Sequence, residues 1–380
     1  MYSSTDVATL LQDIAAMRDM LAHELQASSG TSLRVHGLTI DYFRQSPTRI
    51  AAQYTLDLEA ADGVRDSQII TVAHFTDGRM ERQWKRMRAD APDAEVPVGR
   101  FNLPGARYSH ELQSIIQAFP YDARLPGLRR IVAGTPEMRR LVAPADEHRI
   151  VSWEVDVVRY RPDMRAMARV EVGFNGNGPD DRRRVYAKAY REPEEGQRAY
   201  DLLTALAAQD GTADGLHVPR PLAYDAGLRT LLIAEAAGDR LLDIIRQKDD
   251  DRAPNAVRRA ARAVAAMHDA QVDPELLPAA SPDRDAQFAD VSNRLLRGFP
   301  EYANDVQALT NQIEAAFHPA PLRPTHYDLK QGHILIDPEI VTILDFDKMA
   351  MGDPLIDVAN VVATLGAERE GSARRAAVRE

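Results

Sequence analysis

The sequence predicts an α+β protein in which a β-rich N-terminal part is followed by a helical C-terminal part. Three observations support this class: segments rich in β-branched and aromatic residues occur up to residue 236, the β-rich pattern occurs twice, and helical periodicity dominates from Ala237 onward. With 380 residues the chain is too long for one compact core, so we expect several domains.

The first 30 residues have the periodicity of a helix. Apolar residues recur at intervals of three and four from Val7 to Leu21, after hydroxyl residues at 3–5 that can cap a helix. We expect one amphipathic helix over residues 1–30. Because no basic region followed by an apolar run occurs here, we expect no signal peptide.

Two strand-rich segments resemble each other at a separation of about 115 residues. They are DYFRQSPTRIAAQYTLDLEAADGVRDSQIITVAHF and DVVRYRPDMRAMARVEVGFNGNGPDDRRRVYAKAY, in which Asp41 matches Asp156, Arg44 matches Arg159 and Pro47 matches Pro162. Each predicts a strand, a turn, a second strand, a polar hairpin and a third strand. A long period seen only twice favours a duplicated domain, whereas the alternative is that two antiparallel meanders look alike.

These patterns divide the chain into five parts. We expect the helix at 1–30, a first β domain at 31–105, a connector at 106–150 that contains FPYDARLPGL, a second β-rich lobe at 151–236 and a helical lobe at 237–380. In the helical lobe, residues 255–270 predict a helix with Val257, Ala261, Val264 and His268 on one face.

Composition excludes several classes of function. Lys plus Arg is 47 and Asp plus Glu is 57, a net charge of -10 with no basic block, so we expect no nucleic-acid partner. The longest uncharged apolar stretch, Val358 to Ala367, is about half the ~20 residues that span a bilayer, so we expect no membrane segment. There is no cysteine, which excludes thiol catalysis and thiolate zinc sites and fits a cytoplasmic protein. No segment indicates an oligomeric state.

The candidate chemistry lies in PTHYDLKQGHILIDPEIVTILDFDKMAMGDPLIDVA. Two short apolar strands, HILI and VTILDF, are joined by the turn DPE and predict a hairpin. His326, Asp328 and Lys330 precede the hairpin, and Asp345 and Asp347 end it. An acid, a base and a metal-binding carboxylate can therefore meet at one mouth of the hairpin.

This set of residues fits phosphoryl transfer. The reaction requires a carboxylate to orient or deprotonate the attacking hydroxyl, oxygen ligands for magnesium and cations for the phosphates. Asp328 suits the first role and Asp345 the second, and Lys188 in VYAKAY suits the third.

The same segment resembles the catalytic segment of the aminoglycoside phosphotransferase and choline kinase-like families. The matching blocks are His326-x-Asp328, Ile343-Leu344-Asp345-Phe346-Asp347, and Gly352-Asp353-Pro354 with Asp357. The resemblance covers about residues 151–365. It implies a two-lobed protein kinase-like fold, here preceded by a degenerate β-rich domain that is similar to the N-terminal lobe.

The resemblance implies roles for single residues of the hairpin. Asp328 would be the catalytic base and Asp345 the principal magnesium ligand, with Asp347 the second carboxylate of the pair. Lys330, two residues after the base, resembles the lysine that meets the transferred phosphate in Ser/Thr protein kinases. His326 would brace the loop through hydrogen bonds.

The resemblance also implies a site for ATP or GTP. Lys188 would be the third-strand lysine that grips the α- and β-phosphates, and Arg159 and Arg165 would bound the turn above the nucleotide. Backbone groups of Glu235 and Ala237 would meet the adenine.

The sequence departs from the family pattern at several points. His333 replaces the family asparagine; imidazole is a poorer ligand for magnesium than an amide oxygen and a better one for manganese or zinc. Either the second metal is bound differently or His333 packs and hydrogen-bonds. The glutamate partner of Lys188 has no firm position, and His74 stands where the second copy has Lys188. Family members continue for several helices after Asp-Val-Ala, which favours a truncated chain.

We therefore expect a phosphotransferase that uses ATP or GTP with Mg²⁺ (or Mn²⁺) and phosphorylates a hydroxyl of a sugar, amino alcohol or antibiotic-like acceptor. The alternative is a pseudokinase that binds nucleotide as a regulatory module. A third hypothesis, a metal-dependent hydrolase, would require His326, Asp328 and His333 on one metal.

Overall fold

The computed structural model describes residues 4–29, 33–76, 78–90, 97–175, 181–209, 215–247, 251–277, 284–316 and 321–365. These residues form an α+β protein with antiparallel sheets, which confirms the predicted class. Two compact units are present, one comprising Met1–Gln197 with Leu222–Ile233, the other Arg198–Pro221 with Ala234–Glu380. In the described parts of the chain, no helix has both the length and the apolar character needed to cross a bilayer.

The helices and strands are as follows. The helices are α1 (Ser4–Leu10), α2 (Ile14–Ser29), α3 (Met80–Asp90), α4 (Pro126–Ala133), α5 (Pro136–Val142), α6 (Pro193–Ala207), α7 (Leu241–Arg246), α8 (Ala253–His268), α9 (Arg284–Gly298), α10 (Ala303–Ala316) and α11 (355–365). The strands are β1 (Leu33–Ser46), β2 (Arg49–Ala60), β3 (Arg65–Phe75), β4 (Pro97–Val98), β5 (Leu103–Pro104), β6 (Ala106–Ser109), β7 (Ser114–Ala118), β8 (Ile150–Arg161), β9 (Arg165–Phe174), β10 (Arg182–Tyr190), β11 (Pro221–Asp225), β12 (Thr230–Ala234), β13 (Asp239–Arg240), β14 (Arg323–Thr325), β15 (Ile334–Ile336), β16 (Val341–Ile343) and β17 (Ala350–Gly352).

The N-terminal helical segment is divided in two, whereas the periodicity predicted one helix. The division falls between Leu10 and Ile14 because Asp13 caps the second helix: its Oδ1 accepts hydrogen bonds from the backbone N–H groups of Ala15 and Ala16, both at 3.0 Å. The apolar sides of both helices belong to the core of the first sheet. The Tyr54 hydroxyl donates to the carbonyl of Leu11 at 2.6 Å and fixes the segment between the helices.

The two strand-rich segments have the same topology. The first sheet has the order β1-β2-β3-β7-β6 and the second the order β8-β9-β10-β12-β11. In each, three strands form a meander, a helix follows, and a later pair of strands adds beside the third strand. Bulges interrupt β1 between Val35 and Gly37 and β8 between Ile150 and Ser152, at matching positions. The two sheets therefore share the strand pattern that the sequence predicted to occur twice, and β6 and β7, assigned to the connector, belong to the first sheet.

The register shows which residue replaces Lys188 in the first copy. In the second sheet, Arg165 pairs with Tyr190, and the third pair from the turn is Met167 with Lys188. In the first sheet, Arg49 pairs with Phe75, and the third pair is Ala51 with Ala73. The predicted equivalence of His74 is therefore wrong by one position, because counting from the shared turn aligns Ala73 with the lysine. No cation occupies this position in the first copy.

The second unit contains helices α7–α11 and two small sheets, with orders β13-β15-β16 and β14-β17. Helix α8 packs beside β16 and β14. Its buried residues are Ala256, Ala260, Ala263 and Met267, whereas Val257 is 45% exposed. The predicted buried face of this helix was therefore wrong by one residue. The small alanine side chains allow the helix to approach the strands more closely than the larger valines would.

Candidate active site

The predicted hairpin is present, and it brings its two ends together. Strands β15 and β16 pair antiparallel, with Ile334 opposite Ile343 and Ile336 opposite Val341. The N–H of Leu344 then donates to the carbonyl of His333 at 2.8 Å and extends the pairing beyond the strands. The residues just before β15 and just after β16 therefore lie at one end of the hairpin.

The His326 ring ties these two ends to each other. It is fully buried; its Nε2 donates to the carbonyl of Leu344 at 2.9 Å, and its Nδ1 accepts the N–H of Asp328 at 3.3 Å. Since a backbone N–H donates to Nδ1, the ring proton lies on Nε2. Backbone groups thus engage both ring nitrogens, and the ring positions the Asp328 loop against the segment that leads to Asp345.

Asp357, on helix α11, fixes the loop that contains Asp328 through hydrogen bonds. Its carboxylate is fully buried and accepts the N–H of His326 at 2.7 Å and the N–H of Tyr327 at 2.8 Å. The Nε2 of His268, at the end of α8, lies 3.0 Å from it. The sequence predicted that Asp353 and Asp357 cap backbone turns and a helix start. Asp353 caps the start of α11, since its Oδ1 accepts the N–H of Leu355 at 2.9 Å, and Asp357 accepts the N–H groups of the loop.

Two residues of the site have left-handed backbone conformations. Tyr327 has φ 63°, and Asp345 has φ 67° and ψ 59°. Such conformations are rare for residues other than glycine and asparagine, and they occur preferentially at functional sites. The Tyr327 hydroxyl lies so close to Gly352 that a Cβ at position 352 would overlap it. This contact gives a packing reason for the glycine of the Gly-Asp-Pro block.

Asp328, the carboxylate of this loop, has 28% of its side chain exposed. The Nζ of Lys348, itself 57% exposed, lies 3.5 Å from Asp328 Oδ1. Sequence reasoning proposed Lys330 beside the base and missed Lys348. The predicted hairpin could have indicated Lys348, because a hairpin places residues shortly after β16 near those shortly before β15. Lys330 is half-buried, and its carbonyl accepts the N–H of His333 at 2.8 Å.

His333 and Asp345 are the neighbouring candidates for metal binding. The Nε2 of His333 lies 3.9 Å from Asp345 Oδ2. Burial lowers the pKa of His333 to about 4, with the charge of Lys330 adding to the effect and that of Asp345 opposing it. The imidazole is therefore neutral at neutral pH. Its Nδ1 is buried and has no hydrogen-bond partner among the described residues.

The donor set fits a magnesium ion that is held partly by a substrate. Among the described residues, no three or more His, Asp or Glu side chains are arranged to hold a metal by themselves. Magnesium usually takes one or two protein carboxylates and completes its shell with water and phosphate oxygens, and Asp345 offers such a carboxylate. Asp347 lies in the short helical turn Phe346–Lys348 that follows Asp345.

The residues predicted to meet the nucleotide are distributed over the two units. Lys188 lies two residues before the end of β10, only 4% exposed, with its Nζ 5.6 Å from the centre of the Tyr190 ring. Arg159 and Arg165 are half-buried and flank the turn between β8 and β9. In the second unit, Glu235 and Ala237 are exposed and follow β12.

Comparisons with known proteins agree with the motif assignment. The profile of the phosphotransferase enzyme family matches residues 179–380. No curated protein matches the chain.

Several solved kinases and phosphotransferases resemble the chain weakly. The ternary complex of streptomycin, ATP and APH(2″)-IIa shares 14% identity over 54% of this chain and 69% of the other, with a TM-score of 0.39. A choline/ethanolamine kinase family protein from Mesorhizobium loti shares 14% identity over 59% of this chain and 68% of its own, with a TM-score of 0.39. A glucosamine kinase shares 17% identity over 87% of this chain and 72% of its own, with a TM-score of 0.36.

Proposed function

Because the chain belongs to the phosphotransferase enzyme family, we propose that it transfers the γ-phosphate of ATP or GTP to a hydroxyl of a small molecule. The acceptor class we propose is a sugar, an amino alcohol or an aminoglycoside-like compound. The observation that carries the proposal is the His326 ring, which joins the Asp328 loop to the segment before Asp345 through two backbone hydrogen bonds. A base and a metal-binding carboxylate held in this way are the pair that the reaction needs.

In the proposed reaction the acceptor oxygen forms a bond to the γ-phosphorus while the bond from that phosphorus to the β–γ bridging oxygen breaks. Asp328 orients the acceptor hydroxyl and receives its proton, and the nucleoside diphosphate leaves. His326 and Asp357 act on Asp328 only through the backbone, so they are positioning residues.

Bound magnesium would supply charge neutralisation on the phosphate oxygens. Asp345 would be its protein ligand, with His333 and Asp347 as the further candidates. Lys188 would contact the α- and β-phosphates, Arg159 and Arg165 would bound the turn over the nucleotide, and Glu235 and Ala237 would meet its base. Lys330 would contact the transferred phosphate.

The test is Asp328→Asn in the full chain, which removes the proton acceptor and keeps the shape. We expect transfer of labelled γ-phosphate, measured over a panel of amino sugars, amino alcohols and aminoglycosides, to fall by about 10²–10⁴-fold. The matched control is Asp337→Asn, at the opposite end of the same hairpin, where the carboxylate accepts the N–H of Glu339 in the turn. Transfer by Asp328→Asn at the rate of the control would contradict the proposed base.

A second candidate function, nucleotide binding without transfer, is favoured by one observation. His333 is a buried, neutral imidazole where the family pattern has an amide, so the site has one oxygen ligand fewer for magnesium. Calorimetry with ATP and either Mg²⁺ or Mn²⁺ distinguishes the two functions when it is combined with the acceptor panel. Tight ATP binding without turnover on any acceptor would favour the binding module.

A further inference from the structure

A large cavity lies within the first unit, in a part of the chain to which the proposed reaction assigns no role. Its volume is about 860 Å³, which lies within the roughly 300–1,000 Å³ typical of small-molecule sites. Its walls come from β2, β3, α3 and β7 of the first copy, from the FPYDARLPGL connector with the start of α4, and from three short segments of the second copy. The segments of the second copy are the β8–β9 turn, the residues after β10, and the β11–β12 turn.

The lining of the cavity has a strongly positive charge. Six arginine side chains and three carboxylates, those of Asp122, Asp163 and Glu192, line it. The lining therefore has an excess of three positive charges. The whole chain, by contrast, has a net charge of -10. Collecting like charges around one cavity costs self-repulsion, which a bound anion would remove. The six arginines are Arg49, Arg124, Arg129, Arg130, Arg191 and Arg229.

The two buried carboxylates of the cavity are engaged in local hydrogen bonds. Asp122 accepts the N–H of Arg124 at 2.9 Å, the N–H of Asp163 at 2.8 Å and the hydroxyl of Tyr160 at 3.0 Å. Asp163 in turn pairs with the guanidinium of Arg49. Burial, together with the charge of Asp163, raises the pKa of Asp122 to about 6.

The charges of three guanidinium groups that line the cavity act on one another. Burial lowers the pKa of Arg124, and the charges of Arg191 and Arg49 lower it further, against the opposing effect of Asp163 and Asp122. Arg49, Arg124 and Arg191 all line the cavity, where the Nε of Arg191 lies 2.9 Å from Glu192 Oε1. The Nε of Arg49 is buried and makes no hydrogen bond with the described residues. The cavity is therefore lined by guanidinium donors that outnumber its carboxylates.

We propose that this cavity binds a phosphate-bearing small molecule through Arg49, Arg124 and Arg191, at a site separate from the nucleotide site. The planar fork of arginine matches the oxygens of a phosphate in pairs, and an excess of three positive charges suits a ligand with two or more negative charges. The residues expected to hold the nucleotide do not line the cavity; these are Lys188, Arg159, Arg165, Glu235 and Ala237. The proposal does not depend on phosphotransfer by the chain.

Calorimetry of the full chain with inorganic pyrophosphate as the probe, without divalent metal, tests the site. Wild type should bind pyrophosphate at one site, with a dissociation constant that does not change when ATP is present at saturation. Arg124→Gln should weaken binding by about tenfold or more, and Arg130→Gln, at an exposed position of α4, by about threefold. The matched control is Arg18→Gln, whose guanidinium is exposed on α2 beside Asp19 and does not line the cavity.

Thermal melting separates a binding role of Arg124 from a structural one. Because Arg124→Gln removes a cation that its neighbours repel, we expect its melting temperature without probe to equal or exceed that of wild type. Added pyrophosphate should raise the melting temperature of wild type and of Arg18→Gln more than that of Arg124→Gln. If Arg124→Gln fails to fold, the binding of pyrophosphate by Arg130→Gln tests the proposal instead, because the side chain of Arg130 is exposed.

Three results would overturn the proposal. One is the absence of pyrophosphate binding to wild type at millimolar concentration. Another is equal binding by wild type, Arg124→Gln and Arg130→Gln. The third is a dissociation constant that rises in proportion to the ATP concentration, since the probe would then occupy the nucleotide site.

Discussion

Replacement of Asp357 by asparagine should loosen the loop that contains Asp328. The carboxylate is fully buried and accepts the backbone N–H groups of His326 and Tyr327, while His268 lies 3.0 Å away. An asparagine can accept only one of the two N–H groups, because its amide nitrogen is a donor and would face the other. One buried backbone donor then lacks an acceptor, which costs about 1–3 kcal/mol, and a charge-assisted bond is lost as well.

We therefore expect the local opening free energy of the loop to fall by about 2–4 kcal/mol. The assay is hydrogen exchange of the peptide that contains Tyr327, because it reports the loop itself. Both tryptophans, Trp84 and Trp153, lie in the first unit, so their fluorescence would not report this change. A loss of 2–4 kcal/mol corresponds to exchange that is about 30- to 900-fold faster where local opening limits it.

The matched control is Asp353→Asn, the same substitution four residues earlier. The side chain of Asp353 accepts the N–H of Leu355 at the start of α11, and asparagine caps a helix as well as aspartate does. The control should change the exchange of the Tyr327 peptide by less than about threefold. If Asp357→Asn also stays within this limit, the carboxylate does not hold the loop, and the reasoning is refuted.

Two further predictions concern packing and pH. Gly352→Ala should destabilise the protein by about 1–3 kcal/mol in urea denaturation, because the new Cβ overlaps the Tyr327 hydroxyl; a urea denaturation curve identical to that of wild type would contradict the contact. Asp122 has a pKa of about 6 in the folded state, above its ordinary value, so protonation favours the folded state as the pH falls through 6. Between pH 7 and pH 5 wild type should gain about 1 kcal/mol relative to Asp122→Asn in urea denaturation, and equal pH slopes for the two proteins would show that Asp122 does not titrate there.

Sequence reasoning predicted the features that depend on local pattern. The hairpin between His326 and Asp345 follows from two apolar strands around a turn, and its ends must meet for geometric reasons. The repeated meander was visible because strand alternation and the Arg-x-x-Pro turn recur together. The break between α1 and α2 also had a local signal, since Asp13 is a good capping residue, but the continuous apolar periodicity outweighed it.

Other features depend on contacts between distant segments and had no local signal. Asp357 meets the loop from a helix 30 residues later, and Lys348 reaches Asp328 only because the hairpin folds back. The arginine-lined cavity needs side chains from Arg49 to Arg229 to converge, whereas along the sequence they are scattered. Similarly, the buried face of α8 was decided by the strands against which it packs.

Two sheets of the same topology follow each other along the chain, so strands of a newly synthesised chain can pair with strands of the wrong sheet. A strand of one copy can add to the open edge of the other before its own partner has been synthesised, and similar adjacent domains misassemble in this way. The outer strands β1 and β8 carry exposed charged side chains, among them Arg34, Asp41, Glu154 and Asp156. Charges on an edge strand discourage the addition of a foreign strand. The divergence of the copies and their charged edges thus help each meander to close on itself during synthesis.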